Sequence, residues 1–127
     1  MHKILIFLAL ATPAIAQDRM GAEDFDAHVT GRTITYQYPD GSVGIERYMQ
    51  DRRVMWSTAT GTCQYGVWFE SKGDICFRYD GDPEHKCWTI YDESGGMRGV
   101  YTTRAPYTVI RELRGRDDPL ICNDLSS

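Results

Sequence analysis

The residues best suited to chemistry lie between Asp80 and His85, where three carboxylates and an imidazole fall within six residues. Asp80, Asp82 and Glu84 carry the oxygen ligands that Ca²⁺ takes in proteins. Their spacing does not match that of a calcium-binding helix–loop–helix, and acidic residues are ordinary in exposed hairpin turns. The sequence therefore predicts a solvated turn and no metal site, with these three carboxylates as the weak candidates.

Catalytic arrangements find little support in the sequence. A nucleophile needs a base beside it, yet beyond residue 16 the chain has only His28 and His85, and no G-x-S-x-G motif. Paired carboxylates could hydrolyse a glycoside, but nothing places candidates such as Glu46 and Glu70 across one cleft. A C-x-x-C-H haem motif is absent, and we expect no cofactor. We expect no enzymatic activity, with an enzyme of unrecognised type as an alternative.

Residues 1–16 have the organisation of a signal peptide. Met1–Lys3 is positive, Ile4–Leu10 is apolar but too short to span a bilayer, and residues 14–16 form an Ala-x-Ala cleavage signal. A buried strand or helix is the alternative interpretation. We expect cleavage near Ala16, no lipid anchor on a cysteine, no membrane-spanning segment, and a periplasmic or secreted protein.

Residues 17–127 are predicted to form a single domain, which is long enough for one hydrophobic core. The net charge is −4, and basic and acidic residues are interspersed without runs. Such a mildly acidic surface argues against nucleic acid or an anionic membrane as a partner.

All four cysteines lie beyond residue 16, and an even number in a small exported domain predicts two disulfides. If Asp80–Pro83 is the turn of a hairpin, Cys76 and Cys87 face each other across it, close enough to be bridged. Cys63 would then pair with Cys122 and tie the C-terminal tail to the sheet. The alternative, a four-thiolate zinc site, lacks the paired C-x-x-C spacing.

A change in periodicity separates one predicted helix from a run of strands. A helix over about residues 21–30 has Ala22, Phe25 and Val29 on one face, and could close one end of a barrel or cover a sheet edge. Period-two patterns follow, broken by turn residues. The eight predicted strands are Arg32–Tyr38, Val43–Met49, Arg53–Thr58, Thr62–Glu70, Asp74–Tyr79, Lys86–Tyr91, Met97–Thr103 and Tyr107–Leu113.

These strands predict a mainly β fold, an antiparallel eight-strand meander. Closure into a small up-and-down barrel is expected because it removes exposed edges; a rolled sheet or two-sheet sandwich is the alternative. Gly44, Gly66 and Gly99 fall within strands, where glycine often marks a bend. The tail 114–127 is predicted to be irregular.

Aromatic side chains occur on every predicted strand. They could simply form a core with cross-strand aromatic pairs. They could also line a cup for a small apolar or planar ligand, as small barrels sometimes do. The candidate ligand-binding residues are Trp56, Trp68, Arg78 and Trp88, where Arg78 could be an inward polar anchor or an outward charge.

The segment Gly61–Trp68, followed by Asp74–Tyr79 and Pro83–Trp88, resembles a group of small exported bacterial β-rich proteins with cysteines and tryptophans in this region and no known function. The resemblance covers most of the chain after the predicted signal peptide. It implies an exported β-domain and carries no activity.

The predicted architecture is also similar to that of bacterial periplasmic lysozyme inhibitors, which are small disulfide-linked eight-strand barrels. Their inhibitory loop carries a Ser-Gly-x-x-Tyr pattern, whereas here Ser94, Gly95 and Gly96 are followed by Met97 and Arg98. The similarity implies a protruding inhibitory loop over residues 92–98.

The sequence thus predicts a non-enzymatic periplasmic domain that binds a small ligand or an envelope protein. An inhibitor of a lysozyme-like envelope hydrolase is the second hypothesis.

Overall fold

The computed structural model describes residues 1–11, 18–58, 61–116 and 118–122. One helix, α1 (Ala22–Val29), precedes the strands, and a 3₁₀ turn (Gln50–Arg52) lies between the second and third of them. The strands are β1 (Thr33–Gln37), β2 (Val43–Tyr48), β3 (Arg53–Thr58), β4 (Cys63–Ser71), β5 (Asp74–Tyr79), β6 (Lys86–Glu93), β7 (Gly96–Tyr101) and β8 (Val109–Glu112).

The strands form a closed antiparallel barrel in which each strand pairs with the next along the chain. The closing pair joins β1 to β8 through Tyr36 opposite Glu112 and Gln37 opposite Arg111. The predicted up-and-down barrel is therefore confirmed. Strands β3 and β5 have the predicted bounds, while β8 is shorter than predicted at both ends.

Helix α1 closes one end of this barrel. Phe25 and Val29 on its apolar face are fully buried. The ring of Phe25 meets those of Tyr48, Trp68 and Phe77 edge-on, with centroids 5.6, 5.0 and 6.4 Å away. These contacts hold the helix against strands β2, β4 and β5, so that it closes the barrel interior at this end.

Gly66 shows why one strand needs glycine in its interior. A Cβ on Gly66 would lie 2.2 Å from the carbonyl oxygen of Arg78 on the neighbouring strand. Because backbone cannot move aside as a side chain can, only glycine permits this approach of β4 to β5.

Both expected disulfides are present. Cys76 on β5 and Cys87 on β6 are opposite each other and bonded, as the hairpin turn predicts. Cys63 is bonded to Cys122, 59 residues along the chain, and so holds the tail against β4. Disulfides of this kind indicate folding in an oxidising compartment outside the cytoplasm.

Hydrogen bonds add to the attachment of the tail. The Ser57 hydroxyl donates to the carbonyl oxygen of Ile121 at 2.8 Å, and the Thr35 hydroxyl donates to Oδ2 of Asp118 at 2.7 Å. Thr35 and Ser57 point away from the barrel interior, yet both are buried. The tail therefore covers one outer face of the barrel.

The N-terminal residues 1–11 have no regular secondary structure and expose their apolar side chains. The alternative of a buried strand or helix is not seen there. The Ala-x-Ala signal at residues 14–16 lies outside the described residues. Within the described part of the chain, no helix is both long and apolar enough to cross a membrane.

Candidate functional site

The barrel interior contains a cavity of about 110 Å³ at the end away from α1. Phe25 of α1 and Tyr48 lie at its base, and aromatic and aliphatic side chains form its wall. The wall residues are Tyr36, Phe77, Tyr79, Ile90 and Ile110.

The outer edge of the cavity, here called the rim, is formed by five partly or fully exposed side chains. They are Tyr38, Trp56, Gln64, Lys86 and Trp88. Strand register explains this placement, because Trp56 pairs with Gln64 near one end of β3 and β4. The rim thus combines three aromatic rings with one amide and one ammonium group.

Trp56 owes its position to a glycine on the adjacent strand. An added Cβ on Gly44 would lie 2.1 Å from Cη2 and Cζ2 of the Trp56 indole. The indole therefore rests on the Gly44 backbone, in space that any other residue would fill. This packing holds one aromatic ring of the rim in place.

Among the described residues that line the cavity, Glu46 is the one carboxylate. Alternation along β2 turns Gly44, Glu46 and Tyr48 inward together. Glu46 is only 1% exposed, and the hydroxyl of Tyr79 donates a 3.0 Å hydrogen bond to its Oε1. Its other carboxyl oxygen, Oε2, is buried and has no hydrogen-bond partner in the described structure.

Burial dominates the protonation of Glu46. Loss of solvent raises the pKa of Glu46 well above its usual value, and the hydrogen bond from Tyr79 only partly opposes this. The neutral form of the carboxyl is accordingly favoured over a wider pH range than for an exposed glutamate.

Two further tyrosines lie close to Glu46 and also stay neutral. The hydroxyls of Tyr36 and Tyr48 are 2.7 Å apart and share a hydrogen bond. Burial raises the pKa of both hydroxyls. One of the two hydroxyl hydrogens is used in this bond, and neither phenol is hydrogen-bonded to Oε2 of Glu46.

Of the residues predicted to bind a ligand, Trp56 and Trp88 line the cavity. Trp68 lies beside α1, 5.0 Å from the Phe25 ring, with the Arg52 guanidinium 4.3 Å from its own ring centroid. Arg78, for which the sequence allows an inward polar anchor or an outward charge, is exposed on the outside of β5. The reason is alternation, since its neighbours on the strand, Phe77 and Tyr79, point inward.

The acidic turn directs its carboxylates to cationic side chains. Asp82 accepts hydrogen bonds from Lys86 Nζ at 2.6 Å and from the backbone N–H of Glu84 at 2.9 Å. Oε1 of Glu84 accepts a hydrogen bond from Arg104 at 3.1 Å. Asp80 is exposed. Among the described residues, no group of three His, Cys, Asp or Glu side chains is arranged to hold a metal ion.

The predicted inhibitory loop has a different form in the structure. Strands β6 and β7 extend to Glu93 and Gly96, which leaves Ser94 and Gly95 as a two-residue turn instead of a protruding loop. Gly96 is buried with a φ of 119°, a conformation suited to glycine. Arg98 packs 4.5 Å from the Tyr91 ring centroid and donates to Glu93 Oε1 at 2.6 Å.

Sequence reasoning considered Glu46 only as half of a glycosidase pair with Glu70. Glu70 is instead exposed at the other end of the barrel, where its Oε2 accepts a 2.6 Å hydrogen bond from the backbone N–H of Ala22. The signal that could have singled out Glu46 is its place between Gly44 and Tyr48 on the inward face of β2. A carboxylate is uncommon at such a position unless it has a role.

No family model, no curated protein and no solved structure matches this chain.

Proposed function

We propose that this protein is an exported, non-enzymatic binding protein that holds one small, mostly apolar molecule in the barrel cavity. The observation that carries the proposal is the unpartnered Oε2 of Glu46, buried in a cavity with aromatic walls. Buried polar side-chain atoms are nearly always hydrogen-bonded to protein, to ordered water or to a ligand, and the aromatic walls of this cavity favour a ligand as the partner of Oε2.

The cavity volume limits the size of that molecule. An apolar protein cavity of about 150 Å³ accommodates benzene. At about 110 Å³ this cavity suits one ring or a short branched chain. A longer ligand would extend outward between Trp56 and Trp88, the two tryptophans of the rim.

We place this binding function in the periplasm or outside the cell. The exposed apolar side chains of residues 1–11 are consistent with a removable signal peptide, and the two disulfides require oxidising conditions. Intact-mass measurement of the exported protein tests this, with cleavage after Ala16 and no free thiol expected. A mass that includes residues 1–16, or four reduced thiols, would contradict the assignment.

Native mass spectrometry of the purified protein tests the binding function. The wild-type protein is expected to retain a small-molecule adduct, or to take one up from a panel of ring compounds. Ile110→Phe fills the cavity and is expected to abolish the adduct. Val109→Phe is the matched control, because Val109 is the preceding residue of β8 and does not line the cavity. Adducts that survive in the Ile110 variant would place binding elsewhere.

The alternatives drawn from the sequence stay predictions: a domain that binds an envelope protein, a hydrolase inhibitor and an enzyme. An inhibitor would have to act through an element such as the Ser94–Gly95 turn, and stoichiometric inhibition of lysozyme that is lost on Arg98→Ala would favour it.

A further inference from the structure

The hydrogen-bonding state of Glu46 restricts the chemistry of a ligand. Oε1 already accepts a hydrogen from Tyr79, and Oε2 has no partner. None of the ion pairs formed by the described residues includes Glu46. An ionised Glu46 would therefore be a buried charge without a counter-ion, which costs far more free energy than a buried neutral carboxyl.

The groups that face Glu46 do not change the preference for its neutral form over its ionised form. Tyr79 approaches from β5, Tyr36 and Tyr38 from the chain of β1, and Tyr48 from its own strand, and burial raises the pKa of all four hydroxyls. They offer hydroxyl groups and no positive charge. Lys86 lines the same cavity from β6, but its ammonium is 2.6 Å from Oδ2 of Asp82 at the rim.

Proton position follows from these contacts. A neutral Glu46 that keeps its hydrogen bond from the Tyr79 hydroxyl at Oε1 carries its own hydrogen on Oε2. Oε2 is then a hydrogen-bond donor without an acceptor. A ligand completes the site if it brings an acceptor oxygen to this point and no charge.

We propose, on the basis of the binding function proposed above, that the ligand class is an uncharged ring compound whose carbonyl oxygen accepts a hydrogen bond from Oε2 of Glu46. The ring lies among Tyr36, Phe77 and Ile110, which are apolar over most of their surface. One hydrogen bond fixes the orientation of the ligand, while burial of the ring contributes most of the affinity.

An organic ammonium ion is the competing class, since aromatic rings and a carboxylate also suit a cation. It requires Glu46 to be ionised, so its affinity would rise with pH through the pKa of Glu46. The affinity of a carbonyl ligand changes in the opposite direction. It is constant while Glu46 is protonated and falls as pH rises through the pKa of this carboxyl in the folded protein.

Three probes of similar shape separate the possibilities by calorimetric titration of the wild-type protein: cyclohexanone, methylcyclohexane and cyclohexylammonium chloride. Cyclohexanone is expected to bind about tenfold more tightly than methylcyclohexane, the value of one buried hydrogen bond. Its affinity is expected to fall above the pKa of Glu46. Tighter binding of cyclohexylammonium, increasing with pH, would overturn the proposal in favour of a cation.

Variants of Glu46 give a second test. Glu46→Gln keeps a donor without a titrating group, so cyclohexanone affinity is expected to stay within about threefold of wild type and to lose its pH dependence. Glu46→Leu is expected to remove the preference for the ketone over the hydrocarbon. Equal affinity of the wild type for ketone and hydrocarbon would refute the carbonyl assignment alone. Failure of every probe to bind would count against the binding function itself.

Discussion

The Tyr79 hydroxyl donates a 3.0 Å hydrogen bond to Oε1 of Glu46 across the barrel interior, from β5 to β2. These strands are not neighbours in the sheet, so the bond crosses the space that a packed barrel would fill with apolar side chains. It leaves Oε2 as the unpaired atom at the cavity. Burial of this unpaired oxygen lowers stability, and Oε2 is the atom at which the proposed ligand would bind.

Glu46→Gln is expected to stabilise the protein increasingly as pH rises. A carboxyl whose pKa is raised by folding lowers stability above its unfolded pKa, near 4.5 here, because the unfolded chain then ionises first. The advantage of the variant is expected to grow by up to about 1.4 kcal/mol per pH unit until the folded carboxyl ionises too. Urea unfolding of both proteins from pH 4 to 8 measures this. A pH-independent difference would mean that Glu46 is not desolvated as described.

The contribution of Glu112 to stability is expected to have a pH dependence opposite to that of Glu46. Its buried carboxylate contacts His28 and Arg32, each at 3.1 Å, and accepts the Met97 N–H at 2.8 Å. Burial alone would raise its pKa, but the hydrogen bonds from the Met97 N–H, His28 and Arg32 outweigh burial and lower it. The stabilisation is present above the unfolded pKa and is lost as pH falls through the lower folded pKa.

Glu112→Ala is accordingly expected to destabilise by about 1.5–3 kcal/mol at pH 7, because it leaves the buried Met97 N–H without an acceptor. Glu112→Gln, which keeps an acceptor oxygen, is expected to cost less. Thermal unfolding at pH 7 compares the two, and equal losses would show that the charge matters and the Met97 bond does not.

Gly44→Ala is expected to displace the Trp56 indole and destabilise the protein by about 1–3 kcal/mol, as overpacking generally does. Gly95→Ala is the matched control, since a Cβ there meets nothing within 4 Å and the residue does not have positive φ. Unfolding free energies and the emission wavelength of Trp56 report the change. If both variants resemble wild type, the contact between Gly44 and Trp56 is not as close as described.

The two disulfides are expected to contribute different amounts to the free energy of unfolding. Chain entropy predicts that Cys63–Cys122, which closes the longer loop, stabilises by roughly 1.5 kcal/mol more than Cys76–Cys87, each within about 2–5 kcal/mol. Paired Cys→Ala variants of each bridge, unfolded in urea, measure the difference. A larger loss for the Cys76–Cys87 pair would show that chain entropy does not set the order.

Local signals in the sequence were sufficient for the fold. Turn residues Asp80–Pro83 fixed the register of one hairpin, and this register alone placed Cys76 opposite Cys87. Alternation divided each strand into two faces, and short turns made neighbours in sequence neighbours in the sheet. The Ser94–Gly95 turn is harder to predict from sequence. Gly96 takes a positive φ, and this allows the pairing of β6 with β7 to continue almost to the end of the hairpin.

The site was only partly predictable. Trp56 and Trp88 can be picked out as candidate cavity residues because aromatic rings are conspicuous on strands. Arg78 and Phe77 are adjacent on one strand and so face opposite sides, and sequence alone does not say which of the two faces inward. The Tyr79–Glu46 bond joins strands three positions apart in the barrel. Hairpin register carries no information about contacts across the interior, so neither the unpaired Oε2 nor the cavity could be deduced.

The indole N–H resonances of the three tryptophans, followed by NMR during a cyclohexanone titration, test the central claim most directly. Trp56 and Trp88 line the cavity, whereas Trp68 lies behind Phe25. We predict saturable shifts for Trp56 and Trp88, a much smaller shift for Trp68, and loss of all shifts in Ile110→Phe but not in Val109→Phe. Shifts that do not saturate, or that persist when the cavity is filled, would contradict a ligand site inside the barrel.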